Sequence, residues 1–394
     1  MNLNMKNLSS TSNCWTFWMS EKFFCPLPWI HQFVQPTGVK ICCSSTQELK
    51  LTPAEFNESL YLQQVKQTIV LGQVPKECKG CVANEQMGFG STRQAALKDW
   101  HYTIDTVPSQ IEYLDLRYNN LCNFSCRTCE PAFSTSIDKE VTLNPVLTKY
   151  FKPVVPIYKD IVTSIGKFLP TLKRLNLTGG EPLLIKEHMD VLSALIHSGK
   201  TDVELLITTN ASVVNPKLLN LISQFDNVHW TVSIDAIGNL AEYIRNGTVW
   251  HTVERNLNSI LALKQSVFIN TTVSAYSVFG LTALANWFKS TKLHYPNQPF
   301  EIIFSIVQYP KHLQPGAIPT ALLDTALSDI QSCIDILSQD SINPNEHISP
   351  LKGLHSYLSS ATLQYRDTNK FIDYTKTLDA IRDQSFNKTF NLNL

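Results

Sequence analysis

The chain has 394 residues, and its 33 basic and 33 acidic side chains give it a net charge of zero. This balance excludes a large basic surface of the kind that binds nucleic acid non-specifically. Ten cysteines are too few for a disulfide-dense scaffold. The first residues lack the charged and apolar regions of a signal peptide, and no apolar run approaches membrane-spanning length. We therefore predict a cytoplasmic protein without membrane contact, in which clustered cysteines bind metal before they form disulfides.

Four cysteines form the first candidate metal site along the chain. They are Cys25, Cys43, Cys78 and Cys81. Four thiolates suit a tetrahedral zinc ion as well as an iron–sulfur cluster, so both alternatives stay open. Cys42 is a rival of Cys43, because adjacent residues of a strand point to opposite faces and only one of the two can face the metal. Cys14 and Cys333 lie outside this set, and we expect buried, unreactive thiols there.

The densest cysteine cluster follows a predicted strand over residues 111–118. The segment Leu-Cys-Asn-Phe-Ser-Cys-Arg-Thr-Cys-Glu places Cys122, Cys126 and Cys129 in a C-x3-C-x2-C spacing. Three thiolates can hold three irons of a [4Fe-4S] cube and leave the fourth iron open, whereas such clusters are otherwise held by four cysteines. A zinc site would need a fourth ligand nearby, and the nearest downstream candidate, His188, is far away in sequence. The spacing therefore favours a cluster with one open iron.

A glycine-rich turn ends the next predicted strand. Residues 172–181 alternate apolar and polar side chains and finish with Gly179, Gly180 and Glu181, followed by proline. Two glycines allow the backbone to approach a ligand without a Cβ in the way. The Glu181 carboxylate can accept hydrogen bonds from an ammonium group. We interpret this turn as a ligand-binding turn, with a solvated strand cap as the alternative.

Further strands alternate with helices. Strands are predicted over residues 203–210, 228–235, 266–274 and 300–307, with helical stretches such as 186–198 and 249–264 between some of them. Together with the two preceding strands this makes six, and the alternation predicts parallel βα units. Ligands of such folds bind at the C-terminal ends of the strands. Asn210, Ser233 and Asp235 stand at these ends, and the last two suit ribose hydroxyls.

Arg245 and the C-terminal part of the chain complete the candidates. Arg245 follows the fourth strand, and its guanidinium can bind a carboxylate in a bidentate manner. The alternative is a surface arginine at the start of a helix. Residues 311–319 form a proline-punctuated connection, and residues 320–339 and 371–384 have helical apolar spacing. We expect this part to close the open side of the fold or to contact a partner.

The thiol loop and the Gly-Gly-Glu-Pro turn resemble the corresponding motifs of the radical S-adenosylmethionine (radical SAM) superfamily. The resemblance implies a partial, six-stranded βα barrel over roughly residues 106–310, an α/β fold. It implies a [4Fe-4S] cluster on Cys122, Cys126 and Cys129, whose open iron binds SAM. The residues implied to contact SAM are Gly179, Gly180, Glu181, Asn210, Ser233, Asp235, Arg245 and Thr128. Thr128 departs from the family pattern, in which this position is often aromatic or bulky.

The upstream cysteines resemble the start of the SPASM/twitch auxiliary-cluster module. The likeness rests on the C-x12-G-x4-C spacing from Cys25 through Gly38 to Cys43. It implies an auxiliary [4Fe-4S] cluster on Cys25, Cys43, Cys78 and Cys81. The whole layout, including Glu85 and Arg93, resembles a group of twitch domain-containing radical SAM proteins, although the module precedes the barrel here. The implied domains are a separate twitch-like module over 1–105, a barrel over 106–310 and a helical extension over 311–394.

The activity that the resemblance implies is reductive cleavage of SAM to methionine and a 5′-deoxyadenosyl radical. That radical would remove a hydrogen atom from a substrate carbon, and the auxiliary cluster would assist oxidation or bond formation. The expected partners are an external flavodoxin- or ferredoxin-like electron donor and a substrate, for which a peptide or protein side chain is preferred. A sugar or nucleotide is the alternative substrate. The alternative function is an iron–sulfur electron-transfer or scaffold protein without SAM chemistry.

Overall fold

The computed structural model of the protein describes residues 23–87, 90–152, 154–157, 160–339, 343–360 and 367–394. Cys14 and the start of the predicted N-terminal module lie outside these ranges. The strands of the described residues are β1 (His31–Gln35), β2 (Gly38–Lys40), β3 (Tyr113–Leu116), β4 (Ser125–Cys126), β5 (Arg174–Leu177), β6 (Glu204–Thr209), β7 (Val228–Ser233), β8 (Arg245–Asn246), β9 (Ser266–Val273) and β10 (Phe300–Ile306).

Sixteen α-helices surround these strands within the described ranges. They are α1 (Leu27–Ile30), α2 (Pro53–Glu58), α3 (Leu60–Val70), α4 (Lys79–Gln86), α5 (Thr92–Trp100), α6 (Thr135–Leu143), α7 (Ile161–Ile165), α8 (Lys186–His197), α9 (Pro216–Ile222), α10 (Gly238–Ile244), α11 (Trp250–Leu261), α12 (Leu281–Lys292), α13 (Leu323–Ser338), α14 (Asn345–Ser359), α15 (Thr368–Arg382) and α16 (Phe386–Phe390). No helix among the described residues is long and apolar enough to cross a membrane.

One open sheet of eight strands forms the centre of the molecule. Its order is β10-β9-β7-β6-β5-β3-β1-β2, and neighbours from β10 to β1 pair in parallel. All six predicted strands are present as β3, β5, β6, β7, β9 and β10. The predicted α/β fold with a parallel, incompletely closed sheet is therefore confirmed.

Buried and partly buried side chains alternate along the strands, so each strand has an apolar face and a polar face. In β6, Leu205, Ile207 and Thr209 are buried, while the residues between them are only partly buried. β7 and β9 show the same alternation. Because successive side chains of a strand point to opposite faces, the apolar face packs against the helices and the other face looks into the open interior. The last residues of that inner face are positioned to line a binding site.

The N-terminal hairpin is part of this sheet. β1 pairs in parallel with β3, with His31 opposite Tyr113 and Val34 opposite Leu116, and β2 returns antiparallel to β1. The sequence predicts a separate module that ends near residue 105. Because β1 lies in this segment and β3 lies beyond residue 105, the N-terminal segment and the barrel share backbone hydrogen bonds. The division of the chain into domains stays a prediction.

The C-terminal extension is helical, as its spacing predicts. α13 packs on α12, and α14 packs on β10. Asn343 covers the edge of β10, because its amide donates to the Ile302 carbonyl at 2.8 Å and accepts from the Ile302 N–H at 3.0 Å. An edge strand with satisfied polar groups is protected from pairing with other chains. The last long helix, α15, turns back to the segment that carries Cys126.

Candidate functional site

A cavity of about 690 Å³ lies at the C-terminal ends of the parallel strands. Its walls include one polar residue from the end of each of β3, β5, β6, β7 and β9. These residues are Arg117, Thr178, Thr208, Ser233 and Thr272. The loop with Cys122, Cys126 and Cys129 forms another part of the wall. The strand ends and the thiol loop, which are far apart in sequence, therefore meet at one cavity, where βα folds place their sites.

A short strand pairing and two side-chain hydrogen bonds fix the thiol loop. β4 pairs antiparallel with β8, so that Cys126 lies opposite Arg245 and Ser125 lies opposite Asn246. The Cys122 carbonyl accepts hydrogen bonds from the Thr135 and Ser136 hydroxyls at 3.1 and 2.8 Å. The loop is thus tied to β8, which contains Arg245, on one side and to the first turn of α6 on the other.

The three thiols sit in a low-polarity environment. Burial raises the pKa of Cys122 to about 11 and also raises the pKa values of Cys126 and Cys129. The neighbouring Arg245 guanidinium acts in the opposite direction on all three. Metal ligation requires thiolates, so a bound cationic centre is needed to offset the burial of three negative charges. The donor set and its common cavity fit a cluster that supplies this charge.

The two glycines of the turn are needed for contact with the thiol loop itself. A Cβ on Gly180 would overlap the carbonyl oxygen of Leu121, and one on Gly179, whose φ is +112°, would lie 2.9 Å from the carbonyl oxygen of Asn119. The Glu181 N–H donates to the Leu121 carbonyl at 2.8 Å. Both glycines also line the cavity. The turn therefore supports the thiol loop and leaves its own backbone open toward the cavity.

Glu181 is buried beneath the cavity wall. Its carboxylate accepts from the Leu183 N–H at 3.1 Å, the Thr209 hydroxyl at 2.7 Å and the Asn210 N–H at 2.6 Å. A carboxylate offers about four acceptor positions, so these three bonds leave one on Oε2. Burial raises the pKa of Glu181, and its hydrogen bonds act in the opposite direction. The side chain holds the ends of β5 and β6 together besides offering one free acceptor.

Arg245 and Asp235 form a buried ion pair. Arg245 Nη1 lies 2.9 Å from Asp235 Oδ2, and Asp235 Oδ1 accepts from the Thr272 N–H at 2.8 Å. Arg245 lines the cavity, whereas Asp235 is fully buried and does not. Arg245 Nε is buried and has no partner among the described residues. The carboxylate of Asp235, which the sequence marks as suited to ribose hydroxyls, lies against the Arg245 guanidinium and orients it. Its contact with SAM stays a prediction.

The remaining predicted SAM contacts line the same cavity. Thr128, Ser233 and Asn210 are all wall residues. The Asn210 amide lies 3.9 Å from the Cys122 sulfur and donates to Asn123 Oδ1 at 3.2 Å. His188, the candidate for a zinc alternative, is buried with Nδ1 3.0 Å from the Pro182 carbonyl oxygen and is not a wall residue.

A second cavity collects the upstream thiols. Its walls contain Cys25, Cys42, Cys78 and Cys81, together with Arg93. Burial raises the pKa of Cys42 to about 11 and that of Cys78 to about 12, and it raises the pKa of Cys25 further. Arg93 is held by Glu85, with its Nε 3.0 Å from Oε1, and by the Phe24 carbonyl. Four thiols and one cation thus share one cavity.

Cys42, and not Cys43, lines this cavity together with the other three thiols. The Ser45 N–H donates to the Cys42 carbonyl at 3.1 Å, which closes a turn with Cys43 at its corner. Cys43 is exposed and does not line the cavity, whereas Cys42 does. The turn directs these two adjacent side chains differently. The ligand role of Cys43 stays a prediction, and its rival Cys42 is the one that lies in the cavity.

Among the described residues, no three His, Cys, Asp or Glu side chains form a ready-made site for a single metal ion. The thiols instead line two cavities, as a larger group such as a cluster requires. Sequence reasoning missed Arg127, whose position between two predicted ligands was a usable signal. It also missed Thr178, Thr208 and Thr272, which line the cavity. Their position at the C-terminal ends of parallel strands, where such folds bind ligands, was the available signal.

Comparison of the sequence with known proteins finds one family model and several distant relatives. The family model of the Radical SAM superfamily matches residues 116–283. The chain is similar to GTP 3′,8-cyclase of Sulfurovum sp. (strain NBC37-1), with 27% identity over 169 residues, which cover 42% of this chain and 48% of the relative. It is also similar to GTP 3′,8-cyclase of Nostoc punctiforme (strain ATCC 29133 / PCC 73102), with 28% identity over 187 residues, 45% of this chain and 53% of the relative. The chain thus spans about half the length of these relatives.

Two solved structures are distant likenesses. "Native anSMEcpe with bound AdoMet" has 15% identity and a TM-score of 0.42 and covers 59% of this chain and 61% of its own. Streptococcus suis SuiB bound to S-adenosylmethionine has 13% identity and a TM-score of 0.37. This match covers 75% of the present chain and 64% of the SuiB chain.

The matched region begins in β3 and ends in α12. It contains the three clustered thiols, the Gly-Gly-Glu-Pro turn and Arg245, all of which the fold gathers around one cavity. The cofactors of this superfamily are a [4Fe-4S] cluster and SAM. The model of the Radical SAM superfamily therefore matches the part of the chain that contributes these residues to the cavity.

Proposed function

We propose that this chain is a radical SAM enzyme whose cluster is held by Cys122, Cys126 and Cys129. When bound, the cluster and SAM supply a 5′-deoxyadenosyl radical that removes a hydrogen atom from a substrate carbon. The observation that carries the proposal is the shared cavity, which three thiols, the glycine turn and Arg245 all line. A protein that only stores or transfers electrons has no need of the last two groups.

The chain's own residues bind and orient SAM. Arg245 binds the methionine carboxylate of SAM. Asp235 contacts only Nη1 of the guanidinium, and Nε has no protein partner among the described residues, so this nitrogen is available to the cofactor. Glu181 offers its remaining acceptor position to the ammonium group. Ser233 faces the cavity at the end of β7 and is placed for a ribose hydroxyl, and Thr128 contacts adenine through its backbone. Because Arg245 holds the carboxylate and Glu181 holds the ammonium group, the methionine part of SAM is kept in one orientation.

We further propose that Cys25, Cys42, Cys78 and Cys81 hold an auxiliary [4Fe-4S] cluster. Their common cavity and the adjacent Arg93 support this, because a guanidinium offsets part of the charge of four thiolates. A zinc ion is the alternative for the same donors, which would have to move closer together because they form no ready-made single-metal site here. The two are distinguished by colour and by iron content, since a zinc site is colourless and adds no iron.

The substrate would bind above the strand ends. An external one-electron donor of the flavodoxin or ferredoxin type would supply the electron that SAM cleavage needs. The wall combines Arg117 with the hydroxyls of Thr178, Thr208 and Thr272. This polar lining and the similarity to GTP 3′,8-cyclases favour a polar, anionic small molecule such as a nucleotide. The peptide side chain that the sequence favours is the second candidate, and the aromatic wall residues Tyr150 and Phe151 support it.

The proposal is tested by electron paramagnetic resonance of the anaerobically reconstituted, reduced protein. We expect a [4Fe-4S]⁺ signal that changes when SAM is added, because SAM becomes a ligand of the open iron. Substitution of Cys122, Cys126 and Cys129 together by Ala is expected to remove the SAM-sensitive signal while the auxiliary signal stays. A signal from the wild-type chain that does not respond to SAM would instead support an electron carrier.

A further inference from the structure

Arg127 is a fully buried arginine inside the thiol motif, between Cys126 and Cys129. Its Nε donates to the Tyr243 carbonyl at 3.0 Å, and its Nη2 donates to Asp379 Oδ1 at 2.5 Å and to Gln384 Oε1 at 2.8 Å. The guanidinium carbon lies 3.7 Å from the centre of the Tyr243 ring. Its exposed fraction is 0%. A charge buried to this degree is stable only with fitted partners, so its surroundings are specific.

The backbone of Arg127 is held as tightly as its side chain. Its N–H donates to the Ile244 carbonyl at 2.8 Å, and its carbonyl accepts from the Tyr374 hydroxyl at 2.8 Å. Tyr374 and Asp379 both belong to α15, about 250 positions further along the chain. Asp379 is itself fixed, because it also accepts from the Tyr243 hydroxyl at 2.7 Å and from the Phe386 N–H at 2.7 Å.

These contacts connect two parts of the protein that lie on opposite sides of the Radical SAM domain boundary. β4 is only two residues long, so local pairing alone leaves the segment that carries Cys126 and Cys129 weakly fixed. The contacts from α15 reach the backbone carbonyl and the guanidinium of the residue that follows Cys126. The helix therefore restricts both the rotation and the displacement of this segment.

We propose that α15 is a clamp that sets the spacing of Cys126 and Cys129, with Arg127 as the positioning residue through which it acts. The meaning of this clamp for a cluster rests on the proposed function, but the clamp itself is a property of the chain without cofactors. A metal-binding loop that is held before its metal arrives has less conformational entropy to lose on binding. The C-terminal extension is thus part of the thiol site.

The test compares two neighbouring buried hydroxyls of α15, those of Tyr374 and Thr375. Tyr374→Phe removes the hydroxyl that reaches the Arg127 carbonyl. Thr375→Val removes a hydroxyl that lies 2.8 Å from the Tyr276 hydroxyl, which belongs to a residue outside the thiol loop. Each substitution nearly keeps the shape of its side chain, so the loss is one buried hydrogen bond in both cases. Hydrogen exchange of the full chain without cofactors reports on the Arg127 and Cys129 amides.

We expect Tyr374→Phe to speed exchange of these two amides by about fivefold relative to Thr375→Val, the ratio expected for loss of one buried hydrogen bond to the thiol loop. In the reconstituted protein, Tyr374→Phe also changes the g-values of the SAM-sensitive signal, and Thr375→Val does not. Equal exchange and equal g-values in the two variants would overturn the clamp. Faster exchange in a protein that shows no SAM-sensitive signal at all would keep the clamp and overturn the proposed function.

A second pair of variants covers the case in which Tyr374→Phe unfolds the chain. Arg127→Lys keeps the charge and loses the planar fork that binds Asp379 and Gln384. Glu140→Gln weakens the other anchor of α15, where Arg382 bonds to both Glu140 oxygens at 2.8 and 2.7 Å. The clamp predicts altered loop exchange in Arg127→Lys and unaltered loop exchange in Glu140→Gln. The reverse order would contradict it.

Discussion

Cys126 and Arg245 are paired directly across the short β4–β8 ladder, so a predicted cluster ligand and the predicted carboxylate-binding cation belong to one backbone unit. Asp235 fixes the guanidinium from the other side at 2.9 Å. The thiol loop therefore cannot shift without moving the group that is proposed to hold SAM.

This pairing predicts the effect of mutations on SAM affinity. Arg245→Ala removes a charge-assisted contact, which contributes on the order of 1.5–3 kcal/mol. We expect SAM to bind roughly tenfold more weakly or worse, with the iron content unchanged. Asp235→Asn leaves the guanidinium in place but less well oriented, so its effect should be smaller. Calorimetry with SAM measures both.

The matched control for these variants is Asp226→Asn, which changes an exposed carboxylate remote from the cavity wall. It should bind SAM like the wild type. An Arg245 variant with wild-type SAM affinity would return Arg245 to a purely structural role.

The choice between adjacent cysteines is tested by iron content. With two [4Fe-4S] clusters we expect about eight irons per chain. Cys42→Ala should lose about half of the iron, because Cys42 lines the upstream cavity. Cys43→Ala serves as the neighbouring control and should keep all of it, since Cys43 is exposed. Iron loss in Cys43→Ala with none in Cys42→Ala would show that the turn rearranges on cluster binding.

The close approach of the glycine turn to the thiol loop predicts a loss of stability. In Gly180→Ala the new Cβ overlaps the Leu121 carbonyl oxygen, and relief of the overlap must move the loop backbone. We expect a lower free energy of unfolding by about 1–3 kcal/mol. Gly353→Ala in α14 has nothing within 4 Å of the new Cβ and should stabilise slightly. Urea unfolding of the chain without cofactors compares the two, and equal stabilities would contradict the predicted overlap.

Buried histidines predict acid sensitivity. Burial lowers the pKa of His188 to about 4, below the ordinary value of 6.5. Between these values the unfolded chain binds more protons than the folded chain, so stability is present above pH 6.5 and is lost as pH falls toward 4. His188→Gln should reduce the loss between pH 7 and pH 5, measured by urea unfolding. His251→Gln, at an exposed position, is the control and should leave the loss unchanged.

Much of the architecture follows from the sequence. Alternating burial in β6, β7 and β9 is a local property, and the sequence pattern predicts it directly. The thiol loop and the glycine turn are also local, and the fold brings them to the same cavity as predicted. The parallel order of the six strands follows from their alternation with helices.

Other features depend on contacts that the sequence pattern does not show. The choice of Cys42 over Cys43 depends on a turn closed by Ser45. Asp235 stands at a strand end like Ser233, but it turns toward Arg245, a partner ten positions away. The joining of β1 to β3 and the contacts of Arg127 with Asp379 connect distant segments, and such pairings are set by tertiary packing rather than by local propensity.

The central claim is that the three thiols support cleavage of SAM, and the most direct measurement is the release of 5′-deoxyadenosine. The reduced, reconstituted wild-type protein should release 5′-deoxyadenosine from SAM even without substrate. Cys126→Ser should release none while it retains about four irons in the upstream site. Wild-type protein that contains its full iron and releases no 5′-deoxyadenosine, or a Cys126→Ser variant that releases it at the wild-type rate, would contradict the proposed function.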